Sequence, residues 1–430
     1  MHDVRELIEL GPEAVRRLAR RRYQLDLPVL WAAHRRRATA LDAVAQLRSE
    51  IKRASRGPRP AEGTGPAGQG REEARVLREE AQQAEAELRS AEQELDEILL
   101  AVPNLPLDAV PDGDSEKQAV EIRRGGPALR PAAGQARHHA DIGETLGILD
   151  SGRAAKLSGA RFAVSRGAGA RLERALTSFL LDLHTSEHGY TEYAVPHLVN
   201  RETMTGTGQL PKFEEDLFAT SVGGRELFLI PTAEVPLTNL VARELLDGGS
   251  LPLAMTARTP CYRAEAGSYG RDTRGILRLH QFEKVELVRI CALEEAQQQL
   301  MLMVGQVEEC LRRLELSYRV VLLPAGDMGF SARMTYDIEV WLPGSDSYRE
   351  ISSVSDCGTF QGRRAGIRYR GPDGRKQPAA TLNGSALPVG RTVAALLEQG
   401  HQPDGSVLLP DALVPYAGFR RILPGGGTAR

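Results

Sequence analysis

The sequence predicts an α+β protein in which a mainly antiparallel sheet with flanking helices follows an N-terminal antiparallel α-helical coiled-coil arm. Three observations predict it. A heptad seam runs through residues 71–100, and a second helical stretch precedes it across a Pro/Gly-rich break. Beyond residue 145, short β-type stretches alternate with helices without the regular crossovers that a parallel sheet needs. A length of 430 residues, 26% charged and 41% hydrophobic, gives room for a large core.

The arm comes first. Ala74, Leu77, Ala81, Ala84, Leu88, Ala91, Leu95 and Ile98 step by three and four, and upstream Leu41, Val44, Leu47, Ile51 and Ala54 keep helical spacing. Between them lies RGPRPAEGTGPAGQG, whose prolines and glycines can continue neither helix. Helices over about 27–56 and 71–100 therefore form a hairpin, and at about 1.5 Å per residue the second reaches roughly 44 Å, long enough to project from a body. Basic side chains from Arg16 to Arg59 dominate the first helix and its approach, while Glu72 to Glu97 make the returning helix acidic. Two readings follow. The helices pair through flanking charges, or the surplus Arg and Lys meet a polyanion with salt-dependent affinity. The first domain is read as 1–105, the Pro/Gly-rich stretch 106–140 as a connector, and 141–430 as the main domain.

Composition excludes several classes. The net charge of -2 points to no particular partner. Cys261, Cys291, Cys310 and Cys357 share no CxxC spacing, so they read as reduced thiols of a cytoplasmic protein. The opening MHDVRELIELGPEAVRR is charged where a signal peptide is apolar, and no run of about 18 apolar residues implies a membrane span. Neither a GxxxxGK[ST] loop nor a helix-opening GxGxxG occurs, so a bound nucleotide needs another platform.

Four clusters in the main domain carry possible chemistry. In Pro231-Thr232-Ala233-Glu234, a hydroxyl and a carboxylate two residues apart could grip an ammonium group or cap the following helix. From Cys261 to Glu286, two strands flank a basic turn, with Arg263 and Glu265 expected on one face of the first and Phe282, Lys284 and Glu286 sharing a parity on the second. That set suits a phosphate, an adenine amine and a stacked base, or an ordinary sheet surface. In Tyr348-Arg349-Glu350-Ile351-Ser352-Ser353, oxygen ligands suit Mg²⁺, although Glu350 and Ser353 point to opposite faces unless the strand bends. Finally Thr381 to Arg391 runs as a strand of small residues into a helix whose Arg can reach phosphates.

Taken together, TAEVPLTN, YRAEAGSYGRDTRGILRLHQFEKVELV, YREISS and TLNGSALPVGRT in this order resemble a seryl-tRNA synthetase of the bacterial class II type. The resemblance runs nearly end to end and includes the arm, VPNLP, GTGQLPKFEEDLF and the dimer-type segment HGYTEYAVPHLV with Pro196. It implies a homodimer that uses ATP and Mg²⁺ to activate L-serine and then charges serine tRNA, held by the arm. It further implies that Thr232, Ala233, Glu234, Glu286, Asn383 and Ser385 bind serine. Arg263, Ala264, Glu265, Leu279, Phe282, Glu350, Ile351, Ser352, Ser353 and Arg391 would bind ATP, with Glu350 and Ser353 on the metal and Arg263, Glu350 and Arg391 as the catalytic set. Three departures stand out: Val354 where the family usually reads SSCS, Ala386 and Pro388 within its NGSGLAVGRT, and DCGTFQGRR for its NFEDFQARR. A housekeeping enzyme, a duplicate, and a paralogue serving a biosynthetic or self-resistance pathway fit this pattern equally, and a silent tRNA-binding homologue fits it less well because Arg263, Glu286, Glu350 and Arg391 are present.

Overall fold

A computed structural model describes residues 1–56, 69–128, 136–266 and 274–430, excluding the side chains of 54–56 and 69–74. The chain divides into two compact units, Met1–Pro103 and Asn104–Arg430. Most of the Pro/Gly-rich arm tip, the side chains of Ala54 and Ala74, and most of the SYGRDTRG turn lie outside the described residues.

In the first unit, α1 (Val4–Leu10) and α2 (Pro12–Ala19) precede α3 (Leu27–Arg56) and α4 (Gln69–Ala101). Asp26 starts α3 by accepting the Val29 N–H at 3.0 Å, which satisfies one of the donors a helix start leaves open. The helices of 30 and 33 residues span roughly 45 and 50 Å. Their seam differs in detail from the sequence reading. Ala40 is buried and Leu41 is 44% exposed, and Leu99, not Ile98, joins Ala91 and Leu95 in the buried base, because the stripe drifts round a helix of 3.6 residues per turn. Charge pairing across the hairpin is real: Arg36 engages Glu87 and Glu94, Arg37 engages Glu92, and Arg48 engages Glu85.

The second unit is built on eight strands: β1 (Val120–Gly125), β2 (Thr191–Glu192), β3 (Leu253–Tyr262), β4 (Gln281–Cys291), β5 (Tyr318–Leu322), β6 (Met334–Leu342), β7 (Ser347–Asp356) and β8 (Ala380–Pro388). Their order is β1-β5-β6-β7-β8-β4-β3-β2, antiparallel except for the parallel pair of β2 and β3. The stretch read as a connector needs correction: Val120–Gly125 supplies the edge strand β1 beside β5, and a short helix, His139–Thr145, begins inside it. Its Pro and Gly residues mark turns of the sheet unit.

One sheet face is closed by α5 (Ala168–Ser186), α6 (Ala296–Arg313) and α7 (Val389–Gln399). Leu172 and Leu176 of α5, Val307 and Leu311 of α6, and Val393 and Leu397 of α7 pack with Val285, Leu287, Ile338, Ile351, Val354 and Leu382 in one continuous core. Alternation along each strand sends the intervening polar side chains to the opposite face. All four cysteines are free and buried, and among the described residues no helix is long and apolar enough to cross a membrane.

Candidate active site

On that opposite face, Lys284 and Glu286 follow Phe282 at two-residue steps along β4, and Ser385 of β8 pairs directly across from Glu286. A bulge at Ala386 makes this register possible, since Ser385 faces Glu286 while Leu387 already faces Val285. Lys284 and Glu286 form an ion pair in a nearly water-free setting, with side chains 7% and 2% exposed. Thr232 and Glu234 enter from above the sheet. The Thr232 hydroxyl accepts the Glu234 N–H at 3.2 Å, so it shapes the turn into the helix Glu234–Asn239, but the Glu234 side chain turns away from capping and accepts from Gln361 Nε2 at 2.6 Å and Asn383 Nδ2 at 3.0 Å. Burial, and then the nearby Glu286 carboxylate, push the Glu234 carboxyl up to about 7.

The nucleotide-side residues are arranged differently from the strand reading. β3 ends at Tyr262 and β4 begins only at Gln281, so Arg263, Ala264, Glu265 and Leu279 lie in the connection and not on strand faces. Glu265 takes a left-handed conformation with φ of 53° and pairs with Arg278 at 2.5 Å. The Arg263 guanidinium lies 5.2 Å from the Phe282 ring centroid, and its Nε reaches the Pro231 carbonyl at 3.4 Å, which joins the two ends of the site. Arg391, in the first turn of α7, donates to the Leu277 carbonyl at 3.1 Å and the Glu350 carbonyl at 2.8 Å. Leu277 is itself held by a buried relay: Ile276 N–H donates to His139 Nε2 at 3.3 Å, and His139 Nδ1 lies 2.7 Å from Glu398. With both His139 nitrogens and both Glu398 oxygens engaged, this His138–His139–Glu398 group is a support for the connection and not a metal centre.

The strand does bend at the third cluster. Ser353 pairs with Asp337 and Glu350 with Glu339, leaving Ile351 as an extra residue. The bulge turns Ile351 into the core together with Ser352, whose hydroxyl donates to the Ser385 carbonyl at 2.6 Å, so neither presents a side chain to the site. It brings Glu350, Ser353, Asp337 and Glu339 onto one face. Asp337 is 8% exposed and its Oδ1 has no hydrogen-bond partner among the described residues. Burial and the Glu350 charge hold its carboxyl well above the usual range.

Residues 1–106 match the family model for the seryl-tRNA synthetase N-terminal domain, and residues 216–400 match that for the class II core domain of the G, H, P, S and T tRNA synthetases. Serine--tRNA ligase 2 of Streptomyces avermitilis is 72% identical over 429 residues, covering 100% of both chains. The chain belongs to the seryl-tRNA synthetases. A serine--tRNA ligase of Hahella chejuensis is 48% identical over 96% of each chain. Among solved structures, the Pyrococcus horikoshii seryl-tRNA synthetase complexed with ATP superposes with a TM-score of 0.88 at 33% identity, covering 99% of this chain and 100% of that one. The Naegleria fowleri cytoplasmic enzyme in complex with AMP gives 0.83 at 27% identity, covering 98% and 97%.

In this synthetase the departures from the family pattern fall on both sides of the sheet. Val354 packs into the core against Gly384, where an added Cβ would meet its methyls at 3.1 and 3.2 Å. Ala386 is buried at the bulge and is not among the positive-φ residues, and Pro388 ends β8 as the residue before α7 at φ of -76°. Cys357 is nearer the chemistry, with its sulfur 3.5 Å from Asn383 Nδ2. Three further residues near the site carry no assigned role in the sequence: Lys284, Asp337 and Gln361. Lys284 is legible as a parity partner of Phe282 and Glu286, whereas only packing reveals the other two.

Proposed function

We propose that this chain is a cytoplasmic homodimer that joins L-serine to AMP at the expense of ATP and then transfers the seryl group to the 3′ end of serine tRNA. The observation that carries the reading is the convergence of Thr232, Glu234, Asn383, Glu286 and Ser385 on one end of a sheet face whose other end holds Arg263, Phe282 and Arg391. Each end suits one substrate. Glu234 and the Thr232 hydroxyl receive the serine ammonium, beside the Ala233 backbone. Glu286 and Ser385, opposite each other on neighbouring strands, read the serine hydroxyl. Arg263 bridges the serine carboxylate and the α-phosphate. Adenine stacks on Phe282 with its edge toward the Ala264–Glu265 and Leu279 backbone, and Arg391 serves the phosphates.

Glu350 and Ser353 would hold Mg²⁺, and the Asp337 carboxyl beside them, hydrogen-bonded to Ser353 with its Oδ1 left without a partner among the described residues, supports that reading. When bound, Mg²⁺ neutralises phosphate charge. For the protein, the first step is mainly positioning: Arg263 orients the serine carboxylate in line with the α-phosphorus while Arg391 balances charge on the departing pyrophosphate. The second step, attack of a tRNA ribose hydroxyl on the mixed anhydride, needs orientation more than a strong base. The arm's surplus basic side chains meet tRNA phosphates, and the exposed Tyr193, directly after β2, and Leu198, further along the same segment, suit burial against a second copy.

Serine-dependent exchange of pyrophosphate into ATP, followed by serylation of purified tRNA, tests the reading, and absence of serine-dependent exchange overturns it. Glu286→Gln is expected to lower kcat/KM for serine by about 10² while leaving the ATP KM within about threefold, because a polar reader left unpaired by alanine can supply discrimination of about 10⁴. An unchanged serine-to-alanine ratio places hydroxyl recognition elsewhere. Serine use should also depend on pH. Since burial raises Glu234 to about 7, its carboxylate is lost as pH falls through that value, and kcat/KM for serine should decline below about pH 7. A profile flat from pH 6 to 8 contradicts this role for Glu234.

A further inference from the structure

Gln361 lies in the DCGTFQGRR segment and has been given no role above, yet its amide is committed to Glu234 and the groups around it. The residue is fully buried at 0% exposure. Its Nε2 donates to Glu234 Oε1 at 2.6 Å and to the Thr207 carbonyl at 3.0 Å, while its Oε1 accepts from the Thr381 hydroxyl at 2.7 Å. This network fixes which way the amide points, because the Thr207 carbonyl can only accept and needs the NH₂ side. That carbonyl is a stable reference, since it also accepts from the Ser331 hydroxyl at 2.8 Å.

The local backbone explains how Gln361 gets so deep. It sits in the helix Phe360–Ala365, next to Gly362, where an added Cβ would stand 2.1 Å from the Ala379 carbonyl oxygen. Glycine lets this helix approach the chain entering β8 more closely than the alanine usual in the family would. On the other side, Asn383 Nδ2 also donates to Glu234 Oε1. Both hydrogen bonds therefore fall on one carboxylate oxygen, and among the described residues no side chain donates to Oε2.

We infer that Gln361 is a positioning residue of the amino-acid subsite, which holds Glu234 with Oε1 occupied and Oε2 directed at an α-ammonium group. It acts on the amino acid and not on ATP. The inference rests on the reading of Glu234 as the ammonium partner. Besides Gln361 and Asn383, the charged and titratable groups acting on Glu234 are Glu286 and Lys284 of β4 and Arg263, with the Cys357 thiol nearby.

Gln361→Leu keeps the volume and removes the hydrogen bond to a charged group. In pyrophosphate exchange it should raise the serine KM by about 10- to 100-fold, the scale of losing such a bond in a buried site, with the ATP KM within about threefold. Loss of a donor to the carboxylate raises the Glu234 pKa, so the acid limb of kcat/KM for serine should move to higher pH. A structural role alone does not move that limb. Thr381→Val removes only the hydroxyl that orients the amide and should shift the serine KM in the same direction by severalfold, which keeps the test available if the leucine variant fails to fold. Folded variants with an unaltered serine KM, or serine and ATP terms that fall together with thermal stability, overturn the inference. Glu234→Ala separates this failure from that of the underlying reading: if it loses serine use while Gln361→Leu does not, the ammonium assignment stands and the positioning role falls.

Discussion

Arg263→Ala should lower serine-dependent pyrophosphate exchange by about 10² or more, the scale of removing one preorganised charge donor from a reacting centre. The side chain spans the gap between the Pro231 carbonyl at the amino-acid end and the Phe282 ring at the nucleotide end. In the proposed reading it is the group that bridges the serine carboxylate and the α-phosphate. Arg263→Lys should recover little, because a point charge cannot fork across two oxyanions. The variant should fold normally: Arg263 follows the end of β3, and its backbone N–H to the His280 carbonyl, at 2.9 Å, survives the substitution. Exchange within a few fold of the parent, in protein with unaltered thermal melting, removes Arg263 from the catalytic set.

Shortening the arm should produce the complementary phenotype. Replacing residues 48–85 with a short Gly/Ser loop keeps the buried base formed by Leu30, Ala33, Ala40, Val44, Ala91, Leu95 and Leu99, and it leaves the ion pairs of Arg36 intact. Serine activation should stay within about threefold, because every residue assigned to it lies in the second unit, at or beyond Thr232. Serylation of tRNA should fall by about 10² or more, and its salt dependence should flatten by roughly one log-log unit per phosphate contact removed. Unchanged charging would mean that the arm's charges serve only each other, as Arg36, Arg37 and Arg48 partly do. Equal loss of exchange in folded dimer would put the arm within the catalytic machinery.

Much of this molecule is legible one residue at a time. The heptad steps of Leu77, Leu88 and Leu95 specify a long amphipathic helix, because an apolar stripe at that spacing can be buried only as a helix against a partner. The alternation through Phe282, Lys284 and Glu286 likewise commits those side chains to one face, since a strand has a period of two. What remained ambiguous was local chemistry that neighbours decide. By spacing alone Thr232 and Glu234 suit a helix cap as well as a site, and it is Gln361 and Asn383, from distant parts of the chain, that claim the carboxylate.

The sequence by itself determined the arm, the antiparallel class of the main domain and the kinds of side chain available for chemistry, because periodicity and residue type are local properties. Only the tertiary structure decided their register. A single extra residue at Ile351 moves Ser353 onto the face of Glu350, another at Ala386 sets Ser385 opposite Glu286, and β1 turns a supposed linker into a sheet edge. Such shifts arise from pairing between strands distant in sequence, where one inserted residue exchanges inside for outside, and no periodicity within a single strand records where its partner slips.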